Sequence, residues 1–189
     1  MIYVLPMAVL LCSIPASAQD NPTPAQSELT NKGMQAYQDG HPAKCLEFLG
    51  QATQLYPRNQ AARLNYGSMA YQIALELKRH SASEDIWKGL SLIVVAELSE
   101  AILIGKDVDN EASKRMTGHA AFLLGDMWHY LYDKPELARD YFEFAKHYWP
   151  DNPNLIREIE VVNQKIDKNY VPQPLNLYLY SVAPKINSK

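Results

Sequence analysis

The sequence predicts an all-α fold, a short solenoid of three helical hairpins closed by a capping helix, and three observations predict it. First, one spacing is written twice: Cys45, Leu49, Ala52 and Tyr56, then Pro57, match Ala138, Phe142, Ala145 and Trp149, then Pro150. Steps of four, three and four put these side chains on one helical face, and each proline ends its helix at the same phase. Second, a small residue marks the helix upstream of each copy, where two helices must approach closely: Gly33, Gly67 and Gly125. Third, unbroken helical patterns run over residues 61–80, 85–104 and 111–132. Recurrence at this period is the mark of a repeat architecture.

The elements follow in order. Residues 19–26 are polar and carry Pro22 and Pro24, which predicts a flexible lead-in. A first helix is expected over 27–39 and a second over 42–56. The middle unit departs from its neighbours, because Gly67 to Ala101 spans 34 residues where Gly33 to Ala52 spans 19. Ala101 to Gly125 is likewise 24 residues where Ala52 to Gly67 is 15. The unbroken patterns assign the added residues to longer helices, with Val94, Leu98 and Ala101 as the middle copy of the stripe. Ser83, Glu84 and Asp85 supply an N-cap and an acidic first turn for the helix that follows. Pro135 is tolerated in the first turn of the helix after Asp133. The repeats thus occupy about 27–58, 60–106 and 111–151.

A final helix is expected over 154–168, with Leu155, Ile159, Val162 and Ile166 as one apolar stripe and a charged opposite face. A solenoid end needs such a cap, because the last repeat otherwise exposes its stacking surface. Residues 169–189 change character. Tyr170 to Pro184 contains no charge and three prolines, and Leu175, Asn176, Leu177, Tyr178, Leu179 and Tyr180 alternate in polarity or size. Alternation of this kind predicts an extended segment with one apolar face. Such a tail packs along the outside of the last helices, lies in the groove of its own or a neighbouring molecule, which would be a route to self-association, or stays disordered.

Residues 1–18 read as a signal peptide. Residues 1–14 are almost wholly apolar, and Ala16-Ser17-Ala18 before Gln19 is the small-x-small pattern of a cleavage site. No Lys or Arg precedes the apolar run, which leaves open a start codon further upstream. The stretch is short for a span of about 20 residues and is interrupted by Pro6 and Pro15, so no stable membrane span is expected. Leu11 before Cys12 is the wrong residue for lipid attachment, which needs a small one there. Export, to a periplasm or the outside, is the expected destination. Cleavage leaves Cys45 as the single cysteine, so packing and not a disulfide must hold the fold.

The segment 30–57, through Gly33, Tyr37, Gly40, Cys45, Leu49, Ala52 and Pro57, resembles the tetratricopeptide repeat (TPR) family. The segment 122–150 is similar to it through Gly125, Trp128, Ala138, Phe142, Ala145 and Pro150. The resemblance covers about two thirds of the chain, with the middle repeat degenerate. It implies a right-handed α-solenoid whose concave groove, lined by the first helix of each pair, binds a protein or peptide segment. Carrying the family's groove phase onto this chain gives Met34 and Tyr37, with Thr30 beside them, from the first unit. The second unit gives Leu64, Asn65, Tyr71 and Gln72, with Ser68, and the third His119, Phe122, Asp126, His129 and Tyr130. Aromatics give contact area and amides can bond an extended backbone, so a peptide is the natural ligand. Family members that grip a C-terminal carboxylate use two lysines, an arginine and two asparagines. Here Asn65 matches one asparagine, but Thr30, Met34, His119 and Leu123 stand in the other places. A carboxylate buried without cations is costly, so this is not a carboxylate clamp. Scaffold or adaptor work in the cell envelope is implied, or alternatively a structural subunit of a larger envelope, secretion or pilus assembly.

Other chemistry finds little footing in the sequence. A formal charge of −3 without like-charge blocks gives no footprint for nucleic acid or an anionic membrane surface. No Gly-rich phosphate loop, nucleophile elbow or Cys-x-x-Cys occurs, and neither a cofactor nor a catalytic residue is assigned. His119, Asp126 and His129 lie near one helix face and would be the metal ligands of a rival reading. His119 to His129 spans about 15 Å at helical rise, however, so the triad cannot converge unaided and no metal is assigned.

Overall fold

The computed structural model describes residues 24–175. The expected signal peptide, most of the lead-in and the tail beyond Leu175 lie outside them. Among the described residues there are seven helices and no strand: α1 (Pro24–Gln38), α2 (Pro42–Leu55), α3 (Gln60–Arg79), α4 (Glu84–Gly105), α5 (Glu111–Tyr130), α6 (Pro135–Tyr148) and α7 (Pro153–Asn163). The all-helical class and the lengthened middle helices are as expected, since α3, α4 and α5 run to 20, 22 and 20 residues against 14 or 15 for α1, α2 and α6. No helix among the described residues is long and apolar enough to cross a membrane.

Local chemistry sets the ends. The helices α3, α5 and α7 each follow an asparagine, Asn59, Asn110 and Asn152. Their side chains accept the N–H groups of Ala62, Ser113 and Leu155 at 2.9, 2.7 and 3.0 Å, which satisfies first-turn donors that have no partner inside the helix. The helices α2 and α6 open instead on proline. Ser83 precedes α4 as expected, but its hydroxyl makes no capping bond. Each turn within a pair uses a left-handed residue, Gly40 at φ 78°, Ser81 at 57° and Asp133 at 50°. The Asp133 turn ends α5 at Tyr130, short of residue 132, and lets Lys134 N–H donate back to the Trp128 carbonyl at 2.9 Å.

Two boundaries differ further. Helix α1 begins at Pro24, because Gln26 is buried and its side chain accepts from Asn59 at 3.3 Å, which draws the end of the expected lead-in into the helix. Helix α7 stops at Asn163 and not at 168. Gln164 and Lys165 donate to carbonyls only three residues back, which tightens and closes the last turn, so Ile166 falls beyond it.

Successive helices pack in pairs, α1 on α2, α3 on α4 and α5 on α6, with α2 meeting α3, α4 meeting α5 and α6 meeting α7. The same crossing recurs in all three pairs. A Cβ placed on Gly33 would stand 3.0 Å from Leu49 Cγ, and one on Gly67 2.6 Å from Leu98 Cδ2. At Gly125 it would run into the Phe142 ring. The small slot one turn before each large residue, Cys45, Val94 and Ala138, is closed to solvent, as are Ala101 and Ala145 one turn after.

The fourth position of the stripe breaks the pattern. Units one and three place Tyr56 and Trp149 there, and the middle unit places Gly105. The room is filled by Gln60 from the start of α3. Its amide nitrogen donates to the Ala101 carbonyl at 3.1 Å, the Ser113 carbonyl at 3.3 Å and Thr117 Oγ1 at 3.0 Å. Its amide oxygen accepts from the Ser113 hydroxyl at 2.6 Å. One buried side chain thus joins α3, α4 and α5. Arg63 adds a second tie from α3 to α4 by pairing with Glu97 at 2.7 Å.

The core has a large part running from α3 to α7 and a smaller one of Ala36, Cys45, Leu49 and Met69, with Leu46 packed against both. Burial pushes the Cys45 thiol up to about 11. Because the thiolate is the nucleophile, Cys45 in a Cys12→Ser background is expected to ignore a disulfide reagent at neutral pH and to react fully in denaturant. Rapid labelling of the native protein would show that the slot opens.

The first described residues of the tail lie on α6. Asp140 Oδ1 accepts from the Tyr170 hydroxyl at 2.7 Å and from Gln173 N–H at 2.8 Å, and Leu175 packs against the large core.

Candidate functional site

The first helices of the pairs are joined to one another as well as to their partners. Tyr37 of α1 donates its hydroxyl to Glu76 of α3 at 2.8 Å. The two effects of burial and this bond push the Tyr37 hydroxyl up to about 12, so it stays a donor at any physiological pH. Helix α3 packs directly on α5, and Lys78 Nζ reaches the carbonyls of Tyr130 and Leu131 at 3.0 and 2.6 Å. A cation on the last carbonyls of a helix opposes the negative end of its dipole. Lys78 also stands 5.2 Å from the Trp87 ring centroid, and Trp87 meets Tyr132 edge-on, so this end of the layer is braced by aromatics. Tyr130 of α5 donates its hydroxyl to Glu158 of α7 at 2.8 Å. Helices α1, α3, α5 and α7 are therefore linked in a row.

The eleven expected groove residues divide by exposure. Met34, Tyr37, Asn65, Gln72 and His119 are partly buried, and Tyr130 is 43% exposed. Leu64 and Phe122 are buried in the large core, where Phe122 packs on Phe142 with ring centroids 5.7 Å apart. Tyr71, Asp126 and His129 are buried as well. His119 rests 5.8 Å from the Trp149 ring, and burial lowers the proton affinity of its imidazole.

Asp126 and His129 are buried on α5, within electrostatic reach of Glu158 on α7. Burial, and then the charge of Glu158, hold the Asp126 carboxyl well above the usual carboxylate range. Its Oδ1 atom has no hydrogen-bond partner among the described residues, and neither has His129 Nδ1. Burial lowers the proton affinity of His129, with Lys165 acting in the same direction. Tyr71 feels both Asp126 and Tyr130, and burial chiefly raises its hydroxyl. Among the described residues, no three His, Cys, Asp or Glu side chains come together to hold a metal ion. His119, Asp126 and His129 are not assembled into one centre.

Sequence reasoning missed Gln60, Asp140 and Glu158. The first has a signal in Gly105, which stands where the outer copies have an aromatic. The other two have none, because their partners come from distant elements. No protein-family model matches the chain, and no curated protein matches it in sequence.

Proposed function

We propose that the chain is a non-enzymatic interaction module of the cell envelope, a TPR-like right-handed solenoid of three hairpins that binds a peptide segment along its first helices. The recurrence of one crossing, Gly33 under Leu49, Gly67 under Leu98 and Gly125 under Phe142, carries this reading. A recurring glycine crossing brings each pair together at the same point of the pattern, and stacked pairs of this kind curve into a groove. The row α1, α3, α5 supplies the lining, and Met34, Tyr37, Asn65 and Gln72 offer apolar area beside amides suited to an extended backbone. Asp126 and His129 of α5 support the same reading, since both are buried. Export follows from the pattern of residues 1–18.

Site-directed photocrosslinking tests it. A photoreactive residue at Gln72 in the producing cells is expected to trap a discrete protein partner, and Tyr37→Ala is expected to weaken trapping by about tenfold, as the loss of a well-packed aromatic anchor does. A probe at Leu92, exposed on α4, serves as the outer-face control. Trapping from position 92 and not from 72 overturns the groove and makes the chain a structural subunit docked by its outer helices.

A further inference from the structure

We propose that the uncharged outer face of α4 is the seat of this chain's own C-terminal segment 176–184, carried there by a strap that crosses α6 at Asp140. The proposal concerns the side of the helices turned from the groove and does not depend on the reading above. Helix α4 is apolar on both sides. Its buried stripe includes Trp87, Val94, Leu98 and Ala101. On the opposite side Gly89, Leu92 and Ala96 follow at steps of three and four, and no charged residue occurs from Gly89 to Ala96. Leu92 is 50% exposed, and Ile86 at the start of the same helix 55%. A helix that is apolar all round is normally covered all round. In α6 the positions that match Leu92 and Ala96, two before and two after Ala138, hold Glu136 and Asp140. The bare apolar face is therefore a property of α4 and not of the repeat.

The strap supplies the route. Helix α7 packs on α6, and the chain that leaves α7 crosses α6 where Asp140 Oδ1 accepts the Tyr170 hydroxyl at 2.7 Å and the Gln173 N–H at 2.8 Å. Asp140 lies two residues past the buried stripe, on the far side of its helix, yet it is only 8% exposed. Because Ala138 and Val94 are equivalent in the repeat, Asp140 and Ala96 stand at the same level of their helices. The two helices meet at one end, where the Tyr148 hydroxyl of α6 donates to the Lys106 carbonyl after α4 at 3.3 Å. Both also pack on α5, which keeps their axes within about 20 Å, twice the usual spacing of packed helices.

Length and chemistry match the seat. Residues 176–184, fully extended, reach about 30 Å, more than the step from α6 to α4 requires. Leu175, the last described residue, packs against the large core, to which α4 contributes Trp87, Val94 and Leu98. Leu177 and Leu179 share its side of an extended chain, so the side already turned to the core continues toward Leu92. The segment from Tyr170 to Pro184 carries no charge, like the face it would cover. The other apolar stretch outside the described residues, 1–18, has the pattern of an export signal and enters through α1, three helices from α4.

Disulfide trapping on the full chain tests the seat. In a Cys12→Ser background, Leu92→Cys combined with Leu179→Cys is expected to close a bridge within one chain on mild oxidation, mapped by mass spectrometry. Glu47→Cys with Leu179→Cys, which uses the exposed α2 residue in the place of Ala96, is expected to form none. As a second readout, the thiol of Leu92→Cys alone is expected to react at least about tenfold more slowly with a disulfide reagent than that of Glu47→Cys, because the strap must lift first. Adding Leu177→Asp and Leu179→Asp is expected to restore the rate, since charges are not held against an apolar face. A bridge between two chains gives the face to a second copy. Equal rates in the purified protein with protection only in the producing cells give it to an outside partner. Equal rates in both settings leave it bare, and protection unmoved by the two aspartates shows that the tail is not the cover. Each of these outcomes overturns the proposal, and none bears on trapping from Gln72.

Discussion

Replacing Gly105 with alanine is expected to destabilise the protein by about 2–4 kcal/mol, the usual range for overpacking a core and breaking buried polar bonds. The direction is opposite to the local preference, because alanine in a helix is about 1 kcal/mol better than glycine. Tertiary structure reverses the sign. A Cβ at this position would collide with the amide nitrogen of Gln60 and with Thr117 Oγ1, and would stand 2.6 Å from Gln60 Cδ. Gln60 is 2% exposed and cannot swing aside without giving up its bonds to Ala101, Ser113 and Thr117. Denaturant unfolding of Gly105→Ala, Gln60→Ala and the double variant checks this as a cycle. Gln60→Ala alone is expected to cost about 2–3 kcal/mol through unpaired buried groups and a cavity. In the double variant the methyl group occupies space the amide has vacated, so a coupling of about 1–2 kcal/mol is expected. Additive costs, or a Gly105→Ala protein as stable as the parent, would sink the account of Gln60 as the tie between three helices.

Gly125→Ala is expected to be the most damaging of the three crossing substitutions, at about 2–3 kcal/mol, because its Cβ meets an aromatic ring that has no free volume to enter. Phe142 is fully buried and is held by Phe122. At Gly67 the obstacle is the flexible end of Leu98, with its backbone nitrogen 3.3 Å away, and a cost of about 1–2 kcal/mol is expected. At Gly33 the nearest atom is 3.0 Å off, so the lost space and the gained helix propensity are expected to cancel within about 1 kcal/mol. Gly89, exposed on α4 with nothing within 4 Å of a built Cβ, is the control and is expected to gain up to about 1 kcal/mol as alanine. Thermal unfolding of the four variants orders them. If Gly125→Ala and Gly89→Ala shift the midpoint in the same direction, close approach is not the reason for the glycine in the third pair.

The helical class, the paired elements and the three close crossings were legible because they are written in short-range spacing. A step of three or four residues places side chains on one face whatever the rest of the chain does. The asparagine caps at Asn59, Asn110 and Asn152 were equally local and could have been read from their place before the helical patterns. The early stop of α7 was less so. Its apolar stripe continues to Ile166 in the sequence, while the backbone closes at Gln164 through bonds to nearer carbonyls.

The groove was only half legible. Periodicity says that Met34, Tyr37, Asn65 and Gln72 share a phase with Tyr71, Asp126 and His129, but it does not say what lies against that phase. On the first pair and the outer part of the second the face stays accessible. At the third, α7 places Glu158 against Tyr130, 28 residues away, and Asp126 and His129 are buried.

By itself, then, the sequence determined the helical class, the order of the helices and the glycines at their closest crossings, because those properties depend on neighbours within two turns. Only the tertiary structure decided that Gln60 fills the space left by Gly105, that Asp140 receives the tail through Tyr170 and Gln173, and that α7 brings Glu158 against Tyr130. Each of these depends on a partner at least 28 residues distant, and no periodicity reports which surfaces will meet.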